Sequence, residues 1–189
     1  MDHKLADMPL RLSREEFHAW TAAQPRGRYE RLDGEVIQMA AERAAHLRVK
    51  ARVWQALDRA SRVAGLPCEA FPDGATVEVE VEDDTDFEPD AMVNSGERMA
   101  DDAIATPNPI IVVEVSSPST GSIDTGTKLI GYFRVPSIQH YLIVRANRRA
   151  AIHHQRRADG GIETRLIAGG EIRFDPPGLT VLLDDFYAD

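Results

Sequence analysis

The most apolar stretch of the chain, residues 109–115, is a nearly continuous run of β-branched residues that contains a single carboxylate, Glu114. Such a run is typical of a strand that is buried on both faces in the middle of a sheet. Residues 122–134 then carry apolar side chains at helical spacing, and residues 138–144 form a second apolar run. This order predicts a strand–helix–strand crossover with parallel strands and a right-handed connection.

Helical and hairpin patterns precede this crossover. Ser13 and Glu16 have the spacing of a capping box, which predicts a helix from there to about residue 23. The Asp33-Gly34 dipeptide predicts the turn of a hairpin over residues 28–39. Apolar residues at helical spacing over residues 42–64 predict the longest helix of the chain.

Valine and glutamate alternate over residues 76–82, which predicts a strand with one solvated face. After a turn at residues 83–86, residues 87–93 are predicted to return as its paired strand, with Pro89 at an edge or at the strand start. Beyond the crossover the pattern predicts an antiparallel extension, with strands at residues 150–155, 163–167 and 179–183.

Several polar residues in these elements have an ordinary structural interpretation. Exposed hairpin carboxylates such as Glu30 and Glu35 are usually solvated, and a lone histidine near a helix start, here His46, is usually a hydrogen-bonded structural residue. His153 and His154 are neighbours in a predicted strand, so their side chains point to opposite faces. This arrangement favours a strand surface over a metal site.

Composition predicts one domain of ordinary globular character. The chain has 189 residues, of which 43% are hydrophobic and 28% are charged. We expect a single domain over residues 1–189 with its core at about residues 28–150. Cys68 is the only cysteine, which excludes a disulfide framework and a cysteine-based zinc site. No apolar run approaches the roughly 18–20 residues of a membrane helix and no signal-peptide pattern is present, so we expect a cytoplasmic protein without a membrane partner.

The net charge of −9 weakens a general case for nucleic-acid binding, but the charges are unevenly distributed. Eleven acidic residues and one base lie between Glu78 and Asp102, whereas eight arginines and three acidic residues lie between Arg134 and Arg173. One interpretation is an acidic region that holds cations beside a basic region that meets phosphates. The alternative is that both regions are solvated surface.

Glu114 in the central strand requires a partner. An unpaired carboxylate in a buried sheet is costly, so Glu114 must be protonated, paired with a cationic side chain, or bound to a metal. Asp90 precedes it on an extended segment, and Lys128 follows it on the predicted helix. Lys128 stands out because only three of the 22 basic residues are lysines, and a lysine offers a compact charge whose pKa shifts on burial.

Asp, Glu and Lys in this order suggest metal-assisted phosphodiester hydrolysis. Magnesium prefers oxygen ligands, which Asp90, Glu114 and the backbone carbonyl of Val115 can supply. Lys128 would orient or deprotonate the attacking water, or bind the scissile phosphate. The two carboxylates are 24 residues apart, so only the fold can bring them together.

The same order of segments resembles the PD-(D/E)XK nuclease superfamily and, more narrowly, the Uma-type restriction-endonuclease-like family of bacterial proteins. The segments that carry the resemblance are residues 29–35, 71–74, 88–90, 112–120, 124–132 and 139–144. The most specific mark is the Glu-Val-x-Ser-Pro-Ser-Thr stretch that begins at Glu114, with Asp124 and Lys128 downstream. Ser116 stands where the superfamily has a lysine two residues after the second acid, and Lys128 fits a lysine that has moved onto the following helix.

The resemblance implies an α/β fold with a restriction-endonuclease-like core, in which helices flank a mixed central sheet. An N-terminal helix and hairpin and a C-terminal antiparallel extension complete the expected fold. The resemblance also implies Mg²⁺ or Mn²⁺ as cofactor, with Asp90, Glu114 and the carbonyl of Val115 as ligands and Lys128 as the catalytic cation. Glu35 is expected near the metal by analogy with upstream acidic residues of the superfamily.

Three hypotheses about function follow. The first is a metal-dependent endonuclease that hydrolyses phosphodiester bonds in nucleic acid, with DNA favoured as substrate and a homodimer expected because two clefts are needed to cut both strands. The second is a catalytically silent binding or assembly module, which the acidic charge and the lack of a long basic stripe favour. The third is a structural ion cluster, in which Lys128 neutralises Glu114 without a metal.

Overall fold

The computed structural model describes residues 10–39, 41–79, 85–116 and 122–188. Within these ranges the chain forms three α-helices, which are α1 (Arg14–Ala22), α2 (Ala44–Ala64) and α3 (Ser122–Arg134). The strands are β1 (Tyr29–Leu32), β2 (Glu35–Gln38), β3 (Cys68–Pro72), β4 (Val77–Val79), β5 (Thr85–Phe87), β6 (Ala91–Ser95), β7 (Pro109–Ser116), β8 (His140–Arg145), β9 (Ala151–Arg156), β10 (Ile162–Ile167), β11 (Glu171–Phe174) and β12 (Leu179–Leu182). The end of the predicted alternating strand and the serine-rich part of the family motif, at residues 80–84 and 117–121, lie outside the described residues.

The central sheet has six strands in the order β10-β9-β8-β7-β6-β3. β7 and β8 are parallel, with Ile111 opposite His140, and the other neighbouring strands are antiparallel. The sheet is therefore mixed, as the predicted fold class requires. β7 lies in the interior of the sheet, which agrees with its apolar run, because a strand with two neighbours and two covered faces exposes almost no side chain to water.

The residues of β7 alternate between two apolar clusters on the two faces of the sheet. Val113 packs in the cluster that contains Leu57 of α2, and Val112 packs in the cluster that contains Tyr132 of α3. All four side chains are fully buried, and each such burial contributes about 1.5–3 kcal/mol. Because successive side chains of a strand point to opposite faces, Glu114 lies on the face that α3 covers.

Helix α2 is the long helix that the sequence predicts, and it begins two residues later than expected. It ends at Gly65, whose φ of 62° is the left-handed conformation that favours glycine. Val53 and Leu57 face the sheet and are inaccessible to solvent, whereas the far side of the helix carries charged residues. In the ranges that the structure describes, no helix has both the length and the apolar character needed to cross a lipid bilayer.

The sequence pattern predicts that residues 76–82 pair with residues 87–93, but only the short strand β5 pairs with β4, whereas β6 belongs to another sheet. β4 pairs with β5 in a second sheet, whose order is β2-β1-β5-β4. The chain then leaves this sheet at Glu88-Pro89-Asp90, and β6 enters the central sheet between β3 and β7. Pro89 explains the break because it has no N–H to donate to a ladder. Asp90 therefore lies where the chain passes from one sheet to the other.

Residues 85 and 86 belong to β5, not to the predicted turn. Asp86 is buried, and it accepts hydrogen bonds from Nε of Arg31 at 2.5 Å and from Nε of Arg14 at 2.8 Å. Arg31 lies opposite Asp86 on the neighbouring strand β1, and Arg14 connects α1 to the second sheet. The sequence pattern predicts a turn here because aspartate is depleted in strands. Asp86 is tolerated in a buried strand because two arginines that are distant in sequence pair with it.

The prediction that His153 and His154 lie on a strand surface is wrong, because both side chains are buried. They lie on opposite faces as expected, but both faces are covered. His153 Nε2 is 3.0 Å from His140 Nδ1, and His140 Nε2 is 2.7 Å from the carbonyl oxygen of Pro176. Since a carbonyl only accepts, Nε2 of His140 carries the proton and Nδ1 accepts from His153. Phe174 of β11 packs edge-on against both rings.

Acid should weaken the attachment of the ribbon β11–β12 to the central sheet. Burial lowers the pKa of His140 and that of His153 to about 4, whereas an unfolded chain takes up these protons near pH 6.5. The unfolded chain therefore binds more protons between pH 6.5 and pH 4. The free energy of unfolding should fall as the pH falls through this window, by up to about 3 kcal/mol for each group. Urea unfolding at pH 7 and at pH 5 measures the change.

The variant His153→Gln removes one of these imidazoles and should reduce the difference in stability between pH 7 and pH 5. Arg148→Gln in the exposed turn after β8 removes no imidazole and is the control, which should keep the wild-type pH dependence. The same pH dependence in the wild type and in His153→Gln would contradict the assignment.

Candidate active site

Strand pairing brings the two acidic residues of the predicted site together. Ala91 of β6 is opposite Val113 of β7, so one further step along the antiparallel ladder places Asp90 opposite Glu114. The backbone N–H of Val115 donates to Asp90 Oδ2 at 2.6 Å. The N–H and C=O of one strand residue point to the same side of the strand, so the carbonyl of Val115 also faces the Asp90 side.

Helix α3 brings Lys128 to the same place. Its Nζ donates to Glu114 Oε1 at 2.9 Å and to Glu30 Oε1 at 2.8 Å. The ammonium group is buried and also lies 5.7 Å from the ring centroid of Phe87. Tyr132, one turn further along α3, donates its hydroxyl to Glu114 Oε1 at 2.6 Å. We refer to Asp90, Glu114, Val115 and Lys128 as the candidate site.

The environment of Glu114 favours its protonated form. Burial is the largest influence and raises the pKa of Glu114 to about 8. The charge of Lys128 and the hydroxyl of Tyr132 oppose this rise, while the nearby carboxylates of Asp90 and Glu30 add to it. Glu30 and Glu114 thus share one ammonium group, which leaves the candidate site with a deficit of positive charge when both acids are ionised.

The environment of Asp90 favours its ionised form. Burial alone would raise the pKa of Asp90, but the hydrogen bond with His46, the ammonium of Lys50 and the amide of Val115 outweigh it and hold the pKa below its usual value. Lys50 Nζ lies 2.8 Å from Oδ1, and His46 Nε2 makes a longer contact of 3.5 Å to Oδ2. Asp90 is therefore an anion held in place by donors on both of its oxygens.

Lys50 also joins Asp90 to a second group of charges, which we call the flanking cluster: Arg28, Glu42, Lys50 and Asp73. Lys50 Nζ contacts Asp73 Oδ2 at 2.6 Å and Glu42 Oε1 at 2.8 Å. Arg28 Nη1 donates to Asp73 Oδ2 at 2.7 Å and to Glu42 Oε1 at 3.1 Å. Burial lowers the pKa of Lys50, but its three carboxylate partners outweigh burial and raise it, so the side chain stays charged.

Lys50, like Lys128, is one of only three lysines among the 22 basic residues of the chain. Lys4 lies outside the described residues, and the two other lysines are both buried against carboxylates of this region. Position 50 lies among the apolar residues of α2 that face the sheet, such as Val49 and Val53. The signal that could have found Lys50 is a lysine on the apolar face of a helix.

The structure brings Glu30, and not Glu35, to Lys128. Glu35 lies beside the hairpin turn, and its described contact is with Arg11, whose Nη2 is 2.5 Å from Oε1. Glu30 was expected to be solvated, but it is buried and also accepts a hydrogen bond from the backbone N–H of Glu88 at 3.0 Å. Its burial follows from the pairing of β1 with β5, which a hairpin pattern alone does not reveal.

Among the described side chains, two groups could hold a metal ion. Each group offers three ligand atoms that lie within 4.8 Å of one another. The groups are Glu42, His46 and Asp90, and His18, Glu78 and Asp86. Both groups already have cationic partners, because Asp86 is paired with two arginines and both Glu42 and Asp90 contact Lys50. Asp90 belongs to the first group and also to the oxygen set of the candidate site, and oxygen ligands suit a hard cation such as Mg²⁺.

The fold and this acidic arrangement define a restriction-endonuclease-like α/β protein. Residues 14–183 match the model of the Uma2 family, which is described as a putative restriction endonuclease, so the chain belongs to that family. No curated protein matches the chain. The crystal structure of a putative nuclease belonging to DUF820 from Anabaena variabilis aligns with a TM-score of 0.70 and 15% sequence identity. The alignment covers 93% of this chain and 97% of that one, which confirms the predicted fold.

Replacement of Lys50 should strongly destabilise the protein at neutral pH. Lys50→Gln leaves Asp90 and the two carboxylates of the flanking cluster without their shared ammonium group. Removal of one partner from a buried ion pair costs about 3–5 kcal/mol. Urea unfolding of the variant and of the wild type measures the change.

Arg62→Gln on the same helix is the matched control for Lys50→Gln. Arg62 pairs with Asp58 on the exposed side of α2, where such a pair contributes about 1 kcal/mol or less. Equal stability of the two variants would mean that Lys50 is held no more strongly than a surface cation.

Proposed function

We propose that this protein is a metal-dependent endonuclease that hydrolyses phosphodiester bonds in nucleic acid, with DNA as the favoured substrate. The observation that carries the proposal is the contact of the buried Lys128 ammonium with Glu114 at 2.9 Å, on the strand next to Asp90. An acid pair and a lysine at this point suit phosphodiester chemistry, and membership of the Uma2 family supports the same reading.

In this proposal Asp90, Glu114 and the carbonyl of Val115 hold Mg²⁺ or Mn²⁺. The three groups offer oxygen atoms from β7 and from the residue that precedes β6, and the donors on Asp90 keep it ionised before any cation arrives. The bound cation would neutralise charge on the scissile phosphate and lower the pKa of a bound water. His46 and Glu42 lie beside Asp90 and would complete the surroundings of the cation.

The protein's own side chains would prepare the reacting groups. Glu114 would release its proton on cation binding, because a cation replaces a proton on a carboxylate whose pKa burial has raised. Tyr132 would then fix the orientation of Glu114 through its hydroxyl. Lys128 would hold the attacking water or a phosphate oxygen with the donors that it now gives to Glu30 and Glu114.

Basic residues lie near the C-terminal ends of β7 and β8, beside the candidate site, and would meet the nucleic-acid backbone. β7 and β8 are parallel, so the turn after β8 lies beside the end of β7. Arg145 at the end of β8 donates from Nη1 to Ser116 Oγ at 3.1 Å, and Arg148 and Arg149 in the turn are exposed. Arginines are suited to phosphate groups, so an acidic protein can still present a local basic surface beside its site.

Asp90→Asn should remove the proposed metal site without removing the fold. The amide keeps the size of the side chain and its acceptor oxygen but loses the charge that a divalent cation needs. Isothermal titration with Mn²⁺ should give binding to the wild type and at least about tenfold weaker binding to the variant, a difference of about 1.4 kcal/mol or more. Asp101→Asn is the matched control, because that carboxylate is almost fully exposed.

Wild-type Mn²⁺ affinity in Asp90→Asn would reject this metal site. A wild type that binds Mn²⁺ neither alone nor with a short DNA duplex would favour the structural ion cluster, in which Lys128 only neutralises its two carboxylates.

Lys128→Gln should abolish most of the nuclease activity while Mn²⁺ still binds. Loss of one positioned donor for a developing negative charge reduces the rate by about 10²–10³-fold. Cleavage of supercoiled plasmid DNA and of an RNA of matching sequence, both with Mn²⁺, measures the effect and decides between the substrates. Arg134→Gln at the end of α3 is the control and should retain activity.

Metal binding and DNA binding by the wild type without cleavage of either substrate would favour the silent binding module. Cleavage by Lys128→Gln at the wild-type rate would show that Lys128 has no catalytic role.

A further inference from the structure

Strand β10 forms an open edge of the central sheet. It is the outermost strand and pairs along its whole length with β9, from Ile162 opposite Arg156 to Ile167 opposite Ala151. Among the described residues no strand lies on its other side. An exposed edge strand is a template for pairing with another chain, and proteins usually shorten, bend or charge such edges. β10 has six residues in unbroken register.

The hydrogen bonds of β9 show which backbone groups of β10 are free to pair. Arg156 donates its N–H to Gln139 on the β8 side, and Arg157 donates to the carbonyl of Gly161 at 2.8 Å. Hydrogen-bonding direction alternates along a strand, so Glu163 and Arg165 of β10 face β9. The backbone groups that point outward therefore belong to the alternate residues Ile162, Thr164 and Leu166.

The side chains of β10 are unusual for a solvent-facing edge. Leu166 is 83% exposed and Ile162 is 43% exposed, on the same face of the strand. On the other face Arg165 Nε donates to Glu163 Oε1 at 2.8 Å, and both side chains remain about half exposed. Apolar residues thus occupy the two ends of one face, and opposite charges occupy the other face two residues apart.

We infer that β10 pairs antiparallel with β10 of a second copy of this chain, around a twofold axis at Thr164. In this register Ile162 lies opposite Leu166 of the second copy, and Glu163 lies opposite its Arg165. Each outward-facing backbone group then meets another outward-facing group. Cross-strand pairs of these two kinds stabilise a sheet, whereas like charges directly opposite destabilise it.

The two neighbouring registers that keep outward backbone groups opposite each other are electrostatically unfavourable. Centring the pair on position 163 places two glutamates opposite each other, and centring it on position 165 places two arginines opposite each other. The sequence of β10 therefore selects one register of self-pairing. A partner with a different edge strand would lack this reciprocal match of Glu163 with Arg165.

The resulting assembly is a continuous sheet of twelve strands. The two β7 strands would be seven strand spacings apart, about 34 Å. The twofold axis reverses the strand direction. The C-terminal ends of the two β7 strands, which carry the candidate sites, would therefore point in opposite directions. This dimer does not place two clefts on one duplex, and it does not depend on the proposed nuclease function.

Sedimentation velocity over a wide range of protein concentration tests the pairing. The wild type should form a reversible dimer, because one strand from each copy buries a small interface with a dissociation constant in the micromolar range. Arg165→Glu places two glutamates from one copy opposite two from the other and should weaken the dimer at least about tenfold. Leu166→Lys, which removes the apolar pair at an exposed position, should weaken it in the same way.

Exchange of the charges gives the sharpest result. The double variant Glu163→Arg, Arg165→Glu restores opposite charges in every cross-strand pair and should dimerise as the wild type does. A mixture of the single variants Glu163→Arg and Arg165→Glu should form a heterodimer, although each alone should be monomeric.

Arg173→Glu is the matched control for this series. Arg173 and Glu171 form the same pair two residues apart on β11, with Nη2 and Oε2 at 2.9 Å, but β11 lies in the separate ribbon with β12. This variant should dimerise normally. A wild type that is monomeric at every concentration, or a dimer that Arg165→Glu leaves unchanged, would overturn the inference.

Discussion

The structure depends on buried charge at the point where the two sheets meet. Asp90, Glu30 and Glu114 are largely withdrawn from water there, and the ammonium groups of Lys50 and Lys128 contact them. Carboxylates without these partners would take up protons or destabilise the region. The pairing that makes such burial tolerable also keeps acidic oxygens and ammonium groups within hydrogen-bonding distance of each other.

The two acids of the candidate site are held in opposite states by their surroundings. Donors from α2 and the amide of Val115 keep the pKa of Asp90 below its usual value, whereas burial raises that of Glu114 to about 8. The geometry of β7 is the cause, because the amide of Val115 points along the sheet to Asp90 while the side chain of Glu114 points to α3. Acids whose pKa values are pushed apart are typical of sites in which two carboxylates have different roles.

A purely structural ion cluster and a metal site would use the same residues, and cation binding is what distinguishes them. A buried ion pair is often no more stabilising than a well-packed apolar pair of the same volume. Here the network extends from Lys128 through the candidate site to Lys50 and the flanking cluster. A network of this size therefore contributes less to stability than its number of ion pairs suggests.

The sequence by itself determined the elements whose signals are local. The capping box of α1, the hairpin turn and the parallel crossover around β7 follow from propensity and periodicity, and the rarity of lysine singles out Lys128. The tertiary structure alone decided which charges meet: Glu30 and not Glu35 reaches Lys128, and Lys50 reaches Asp90 from a different helix. These contacts join residues that are many positions apart. They depend on how the helices and the second sheet pack against the central sheet, which no local pattern encodes.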